Sequence, residues 1–146
     1  MFANFARQRS IAVYHLHMGG PDGDAAACEA LGAPRFEARL AGLGIYFVQS
    51  ATQADVMLVT GLLLSRDIDH VLRRIASLPQ PSTLITVGDC AMSGGQWAKL
   101  DMPGLSAHPL SYYADVPFNV PGDPPAPHDI LNAIAEYNSR LAGYLP

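Results

Sequence analysis

The sequence predicts an α/β domain: a parallel sheet covered by helices on both faces. Three observations carry this. Short β-branched apolar runs alternate with segments of helical period. One run, Asp55-Val-Met-Leu-Val-Thr60, is almost wholly apolar, as a strand buried on both faces must be. Glycine-bearing turns after Met18, Thr60 and Val87 each follow such a run. Strands that all point one way bring those turns to one edge of the sheet, where sites form in open α/β folds.

The elements follow in order. Residues 1–9 read as a loose leader and 10–146 as one domain. Ser10-Ile-Ala-Val-Tyr-His-Leu-His17 is a strand that ends in the tight turn Met18-Gly-Gly20. The Ala-rich segment from Asp24 to Leu31 is helical, with Asp24 as its N-cap. Pro34 interrupts it. Phe36, Leu40 and Leu43 then mark a second short helix closed by Gly42 or Gly44. Gly44 to Val48 and Asp55 to Thr60 are strands. Ser65 caps a helix whose apolar positions Ile68, Val71, Leu72, Ile75 and Leu78 keep the helical period, and Pro79 and Pro81 stop it. Ser82 to Val87 is the next strand. Ile130, Leu131, Ile134 and Leu141 define a C-terminal helix beginning near Pro127. Between Gly95 and Asp129 the chain is rich in Pro, Gly and Tyr without clear period. A long irregular segment inside a compact domain points to function or to a partner.

Composition narrows the classes. A chain of 146 residues is one domain, able to bury roughly two-thirds of its unfolded surface. With 49% apolar and 15% charged residues it is a compact globular chain with surface suited to a partner. Its longest apolar run, Val56 to Leu64, is too short to span a bilayer. No charged-then-apolar signal opens the chain, so a cytoplasmic location is expected. A net charge of −4, with eight Arg and one Lys that form no basic run, argues against nucleic acid. The two cysteines are far apart in sequence, and reduced thiols are expected.

Two segments carry the most information: Leu84-Ile-Thr-Val-Gly-Asp-Cys-Ala-Met-Ser-Gly-Gly95 and Val120-Pro-Gly-Asp-Pro-Pro125. Four weaker ones accompany them in order: Ala33-Pro-Arg-Phe36, Gly42-Leu-Gly-Ile45, Ala54-Asp-Val-Met-Leu-Val-Thr-Gly61 and Leu78-Pro-Gln-Pro81. Together, over about residues 10–140, they resemble the iron–sulfur subunit shared by respiratory complex I (its 20 kDa, B-type subunit) and membrane-bound nickel–iron hydrogenases. The resemblance implies a flavodoxin-like, three-layer α/β/α sandwich with a parallel sheet. It also implies docking on a large subunit of the hydrogenase or complex I 49 kDa type, membrane subunits reached indirectly, and a place on the inner face of the membrane.

The resemblance further implies a 4Fe-4S cluster, and here the chain departs from the pattern. The family reads roughly G-S-C-A-x-G-G in the first segment and P-G-C-P-P in the second. This chain keeps Cys90 and has Asp123 at the other cysteine. At the turn after the first strand, the hydrogenase pattern places its cysteines on Pro21 and Asp24, and the complex I pattern on Gly23 and Asp24. The degenerate ligand positions are therefore Pro21, Asp24, Cys90 and Asp123. Four-iron clusters depend on thiolate at nearly every corner, so no cofactor is expected. Cys28 lies one helical turn beyond Asp24 and reaches the site only if that helix is rearranged.

Other readings are less favoured. His15 and His17 face one side of a strand and form half a zinc site if Asp24 joins them, although packed strand histidines are favoured. His70 reads as solvated, and His108 and His128 have no evident acid–base partner. The turn around Cys90 lacks the ending of a P-loop and the order of a hydrolase elbow, and a nucleophilic Cys90 is a minor option. The expectation is a non-redox structural or regulatory subunit of a complex-I-like or hydrogenase-like assembly, able to self-associate when isolated. The alternatives are an electron-transfer subunit with an atypical cluster and a stand-alone small-ligand binder.

Overall fold

The computed structural model describes residues 10–20, 22–99, 103 and 105–144. The expected leader, residues 1–9, and Pro21 lie outside the described residues. In chain order the elements are β1 (Ile11–His17), α1 (Gly23–Glu29), α2 (Glu37–Leu43), β2 (Ile45–Phe47), β3 (Val56–Thr60) and β4 (Leu63–Leu64). They continue with α3 (Ile68–Ala76), β5 (Thr83–Val87), α4 (Asp89–Ser93), β6 (Ala107–His108), β7 (Phe118–Val120) and α5 (Pro127–Tyr144). Short 3-10 turns join several of them.

Five strands form one parallel sheet in the order β2-β1-β3-β5-β7. This is the doubly wound order of flavodoxin-like folds, which reverses direction between β1 and β3. β3 and β5 are buried along their whole length, which explains their unbroken apolar character. Their alternate residues serve two cores. Val56, Leu58, Ile85 and Val87 pack with Leu31 and Phe36, and with Ile130, Leu131 and Ile134 of α5. Met57, Val59 and Leu84 pack on the other face with Leu63, Val71 of α3, Ala91 of α4 and Leu110. Each such side chain removed from water contributes about 1.5–3 kcal/mol.

Several local expectations change. Asp24 does not cap α1. The cap position is Asp22, which makes no side-chain capping bond, and Asp24 sits inside the first turn. Ser65 does not cap α3 either. It opens a 3-10 turn, its N–H donates to the Ser106 carbonyl at 2.9 Å, and its buried hydroxyl has no partner. The competing interaction is the small antiparallel pair β4–β6, which draws Ser65 away from the helix start. The region expected to be irregular holds the fifth strand, β7. Gly44 closes α2 in a left-handed conformation, φ 71°, one of the two closures expected. No helix among the described residues is long and apolar enough to cross a membrane.

The turns after β1 and β3 are held against one another. Met18 donates to the Thr60 carbonyl at 2.8 Å and Leu62 to the Gly19 carbonyl at 3.0 Å. Gly61 permits this approach: its φ is +86°, and a Cβ there would overlap the Gly19 carbonyl and stand 2.8 Å from His17 Cε1. Gly61→Ala is therefore expected to destabilise the fold by about 2–3 kcal/mol. Chemical denaturation measures this, and an unchanged midpoint would contradict the close approach of the two turns.

Candidate functional site

The carboxyl ends of β1, β3, β5 and β7 carry the polar side chains of interest. At the end of β1, His15 and His17 project from the face that packs on α1, and Thr60, buried at the end of β3, lies between them. Thr60 Oγ1 is 2.8 Å from His15 Nε2 and 2.9 Å from His17 Nδ1. One hydroxyl carries a single proton, so it donates to one ring at most, and the other ring donates to it. Burial, and then His17, lower the pKa of His15, which favours the neutral ring that such a bridge uses. His15 is half-buried, as a packed strand histidine would be, whereas His17 is exposed, and Thr60 is the partner that sequence spacing did not reveal.

Next to them stand the cysteine turn and the loop after β7, sewn together across the sheet edge. Gly88 donates to the Val120 carbonyl at 2.8 Å and Asp89 to the Gly122 carbonyl at 2.9 Å. The Asp89 carboxylate in turn accepts the Gly122 N–H at 2.9 Å. Asp89 went unnoticed at the sequence level, although the signal was present, since the related pattern has serine before the cysteine. The orienting group here is a carboxylate in its place.

Asp24 reaches this stitch from α1. Its residue is 4% exposed, and its Oδ1 is buried without a hydrogen-bond partner. The carboxyl group lies over Gly88, where a Cβ would overlap it. Gly88, with φ +92°, is the only residue type that leaves that space. Burial raises the Asp24 pKa, Asp123 and Asp89 raise it further, and His17 draws it back. Cys90 is buried in α4, and its thiol is pushed up by burial and then by Asp24, Asp123 and Asp89. The structure thus brings Asp24, Cys90 and Asp123 within electrostatic reach of one another and adds Asp89. Asp123 is exposed at the rim. Cys28 is buried within the core beneath α1 and pushed up to about 12, chiefly by burial, which leaves it an inert thiol. His70 is exposed, and His108 stacks edge-on against Tyr113 at 6.0 Å.

These donors do not fit a four-iron cluster. Four-iron clusters take thiolate at nearly every corner, and the one thiol here, Cys90, has carboxylates rather than further thiols around it. The carboxyl of Asp24 fills the space over Gly88. The position of Pro21 offers no side-chain donor. Among the described residues, no three His, Cys, Asp or Glu side chains are disposed to hold a metal ion.

The fold is a flavodoxin-like sandwich with glycine-rich turns and one cysteine, Cys90, at its carboxyl edge. Residues 22–137 match the family model described as the NADH ubiquinone oxidoreductase 20 Kd subunit, and the chain belongs to that family. It is 31% identical over 134 residues to the "probable membrane-bound hydrogenase subunit mbhJ" of Pyrococcus furiosus, covering 92% of this chain and 77% of that one. Its fold is shared with a chain of the membrane-bound sulfane sulfur reductase, an archaeal respiratory membrane complex (TM-score 0.76, 20% identity, 98% of this chain and 76% of that chain). It is shared equally with a chain of an NAD+-reducing [NiFe]-hydrogenase (TM-score 0.69, 20% identity, 94% and 96%).

The raised pKa of Asp24 has a direct consequence for stability. The folded chain holds this proton more tightly than the unfolded one. Its contribution is therefore complete below the unfolded pKa and is lost as pH rises through the folded pKa. Asp24→Asn is expected to stabilise the protein at pH 7 by about 1 kcal/mol or more, because it removes a buried charge without a partner. The advantage over wild type should shrink as pH falls toward 4. Denaturation of both proteins across that range checks it, and an advantage that grows on acidification would contradict the assignment.

Proposed function

We propose that this chain is a non-redox, structural or regulatory subunit of a complex-I-like or membrane-bound hydrogenase-like assembly. In this reading it docks its strand-edge loops on a hydrogenase-like or 49 kDa-like large subunit and meets the membrane only through partners. The observation that carries it is the donor set at the degenerate positions Pro21, Asp24, Cys90 and Asp123: one thiol and two carboxylates, with no side-chain donor at the proline. The family membership supplies the assembly. An aromatic surface supports the docking mode. Trp97, Tyr112 and Tyr113 are 38%, 74% and 41% exposed, and the turn Leu110–Tyr112 packs directly on α4. Exposed aromatics beside a site are typical of interface cores.

Two measurements test the reading. Anaerobic reconstitution with iron and sulfide should yield no stoichiometric, reducible cluster, since thiolate ligation is what stabilises one. About four irons per chain with a paramagnetic reduced state would favour an electron-transfer subunit instead. Co-expression with the neighbouring genes should retrieve a hydrogenase-like large subunit, and Trp97→Glu with Tyr113→Glu should weaken that capture at least about tenfold. A monomer that captures no such subunit would favour a stand-alone ligand binder.

A further inference from the structure

Resting on the docking reading above, we propose that the outer edge of β1 at His15–His17, with the groove beside it, takes up an extended segment of the large subunit as an added strand. Unequal strand lengths lay this edge bare. β1 runs to His17, whereas β2 ends at Phe47, which is paired with Val13. The Val48 N–H still donates to the Val13 carbonyl at 2.9 Å. Beyond that bond the chain leaves the sheet for the 3-10 turn Ala51–Gln53.

Main-chain direction decides which groups are left. In a parallel ladder successive residues of a strand bond to opposite neighbours. Met18 donates to the Thr60 carbonyl at the end of β3. Tyr14 and Leu16 therefore face β3 as well, and His15 and His17 face outward. Among the described residues no main-chain bond reaches either of them from a loop. Two N–H donors and two carbonyl acceptors thus stand along an open edge, which is a template for another chain. The opposite edge of the sheet is blunted. β7 is only Phe118–Val120, and the prolines on each side of it, Pro117 and Pro121, have no N–H to offer.

An edge by itself names no occupant; the groove beside it does. A groove of about 400 Å³ lies between Tyr14 and His15 of β1, Cys28 of α1, and Phe47 and Val48 where β2 departs. Cys28 is buried and its thiol is pushed up to about 12, chiefly by burial, so it stays neutral. Glu29 and Gln49 are exposed at the rim. Among the described residues that line the groove, Glu29 alone carries a full charge, so an anionic ligand finds no counter-charge there. An apolar side chain fits against Tyr14, Phe47 and Val48, with a neighbouring Lys or Arg at Glu29. Main-chain bonds hold such an added strand, and the pocket for its side chain selects its sequence. The place of the groove favours the large subunit. β1 runs directly into Met18-Gly19-Gly20, one of the carboxyl-edge turns that the docking reading uses. An extended segment entering from that interface meets the bare edge first. It would also cover Tyr46 and Phe47, which are exposed on β2.

The test uses the full chain, alone and in complex with the large subunit encoded beside this gene. Amide hydrogen exchange is read residue by residue. In the isolated chain Tyr14, Leu16 and Met18 should be protected by β3, while His15 and His17 exchange fast. In the complex His15 and His17 should slow at least about tenfold more than those three. Two variants at exposed positions accompany it. Gly32→Trp fills the groove from a position where an added Cβ meets nothing within 4 Å, and Glu29→Lys reverses the charge at the rim. Each should weaken capture at least about tenfold with an unchanged denaturation midpoint. Fast exchange of both amides in the complex, or wild-type capture by both variants, overturns the added strand and spares the docking reading. A wild-type chain that captures no large subunit overturns the docking reading and this inference with it.

Discussion

A parallel sheet covered on both faces leaves its strand ends as the only places where polar chemistry can gather. That constraint governs this molecule. β3 and β5 are buried from end to end, so their apolar side chains are committed to one core or the other. What remains free is the carboxyl edge, where the turns after β1, β3, β5 and β7 meet. All the charged and nucleophilic groups of the candidate site stand there: the two histidines bridged by Thr60, the carboxylates of Asp24, Asp89 and Asp123, and the thiol of Cys90.

The edge is organised by backbone approach. Gly61 lets the β3 turn touch the β1 turn, and Gly88 lets the Asp24 carboxyl lie on the β5 turn. The stitch between Asp89 and Gly122 then ties the β5 and β7 turns together. Loops that are bonded to one another need no external bridge to hold their geometry. This gives a physical account of how the edge keeps its form with a single thiol. It also explains why the acids are forced together, since each sits on a loop whose path is set by main-chain bonds.

Much of the fold was legible in the chain. The strands of Ile11–His17, Ile45–Phe47, Val56–Thr60 and Thr83–Val87 were readable because buried parallel strands are apolar and short, bounded by glycine or proline. α3 and α5 were readable from their period. β7 was not: three residues, Phe118-Asn-Val120, enclosed by Pro117 and Pro121, carry no period, and only pairing with β5 makes them a strand. The cap expectations at Asp24 and Ser65 failed for a shared reason. A cap is a local preference of about 1 kcal/mol, and both residues were drawn into tertiary arrangements, one against Gly88 and the other toward Ser106.

The sequence by itself determined the four main strands, the principal helices, the family, and a single cysteine among the glycine-bearing turns, because each of these is written in residue type and spacing. Only the tertiary structure decided what the replacements do. That Asp24 is buried without a partner, that Asp89 closes two loops, and that Thr60 joins two histidines all depend on contacts between residues 33 to 64 positions apart. Residue type states which groups are available. Which of them share a desolvated space, and so alter each other's charge, follows from the packing of the strands that carry them.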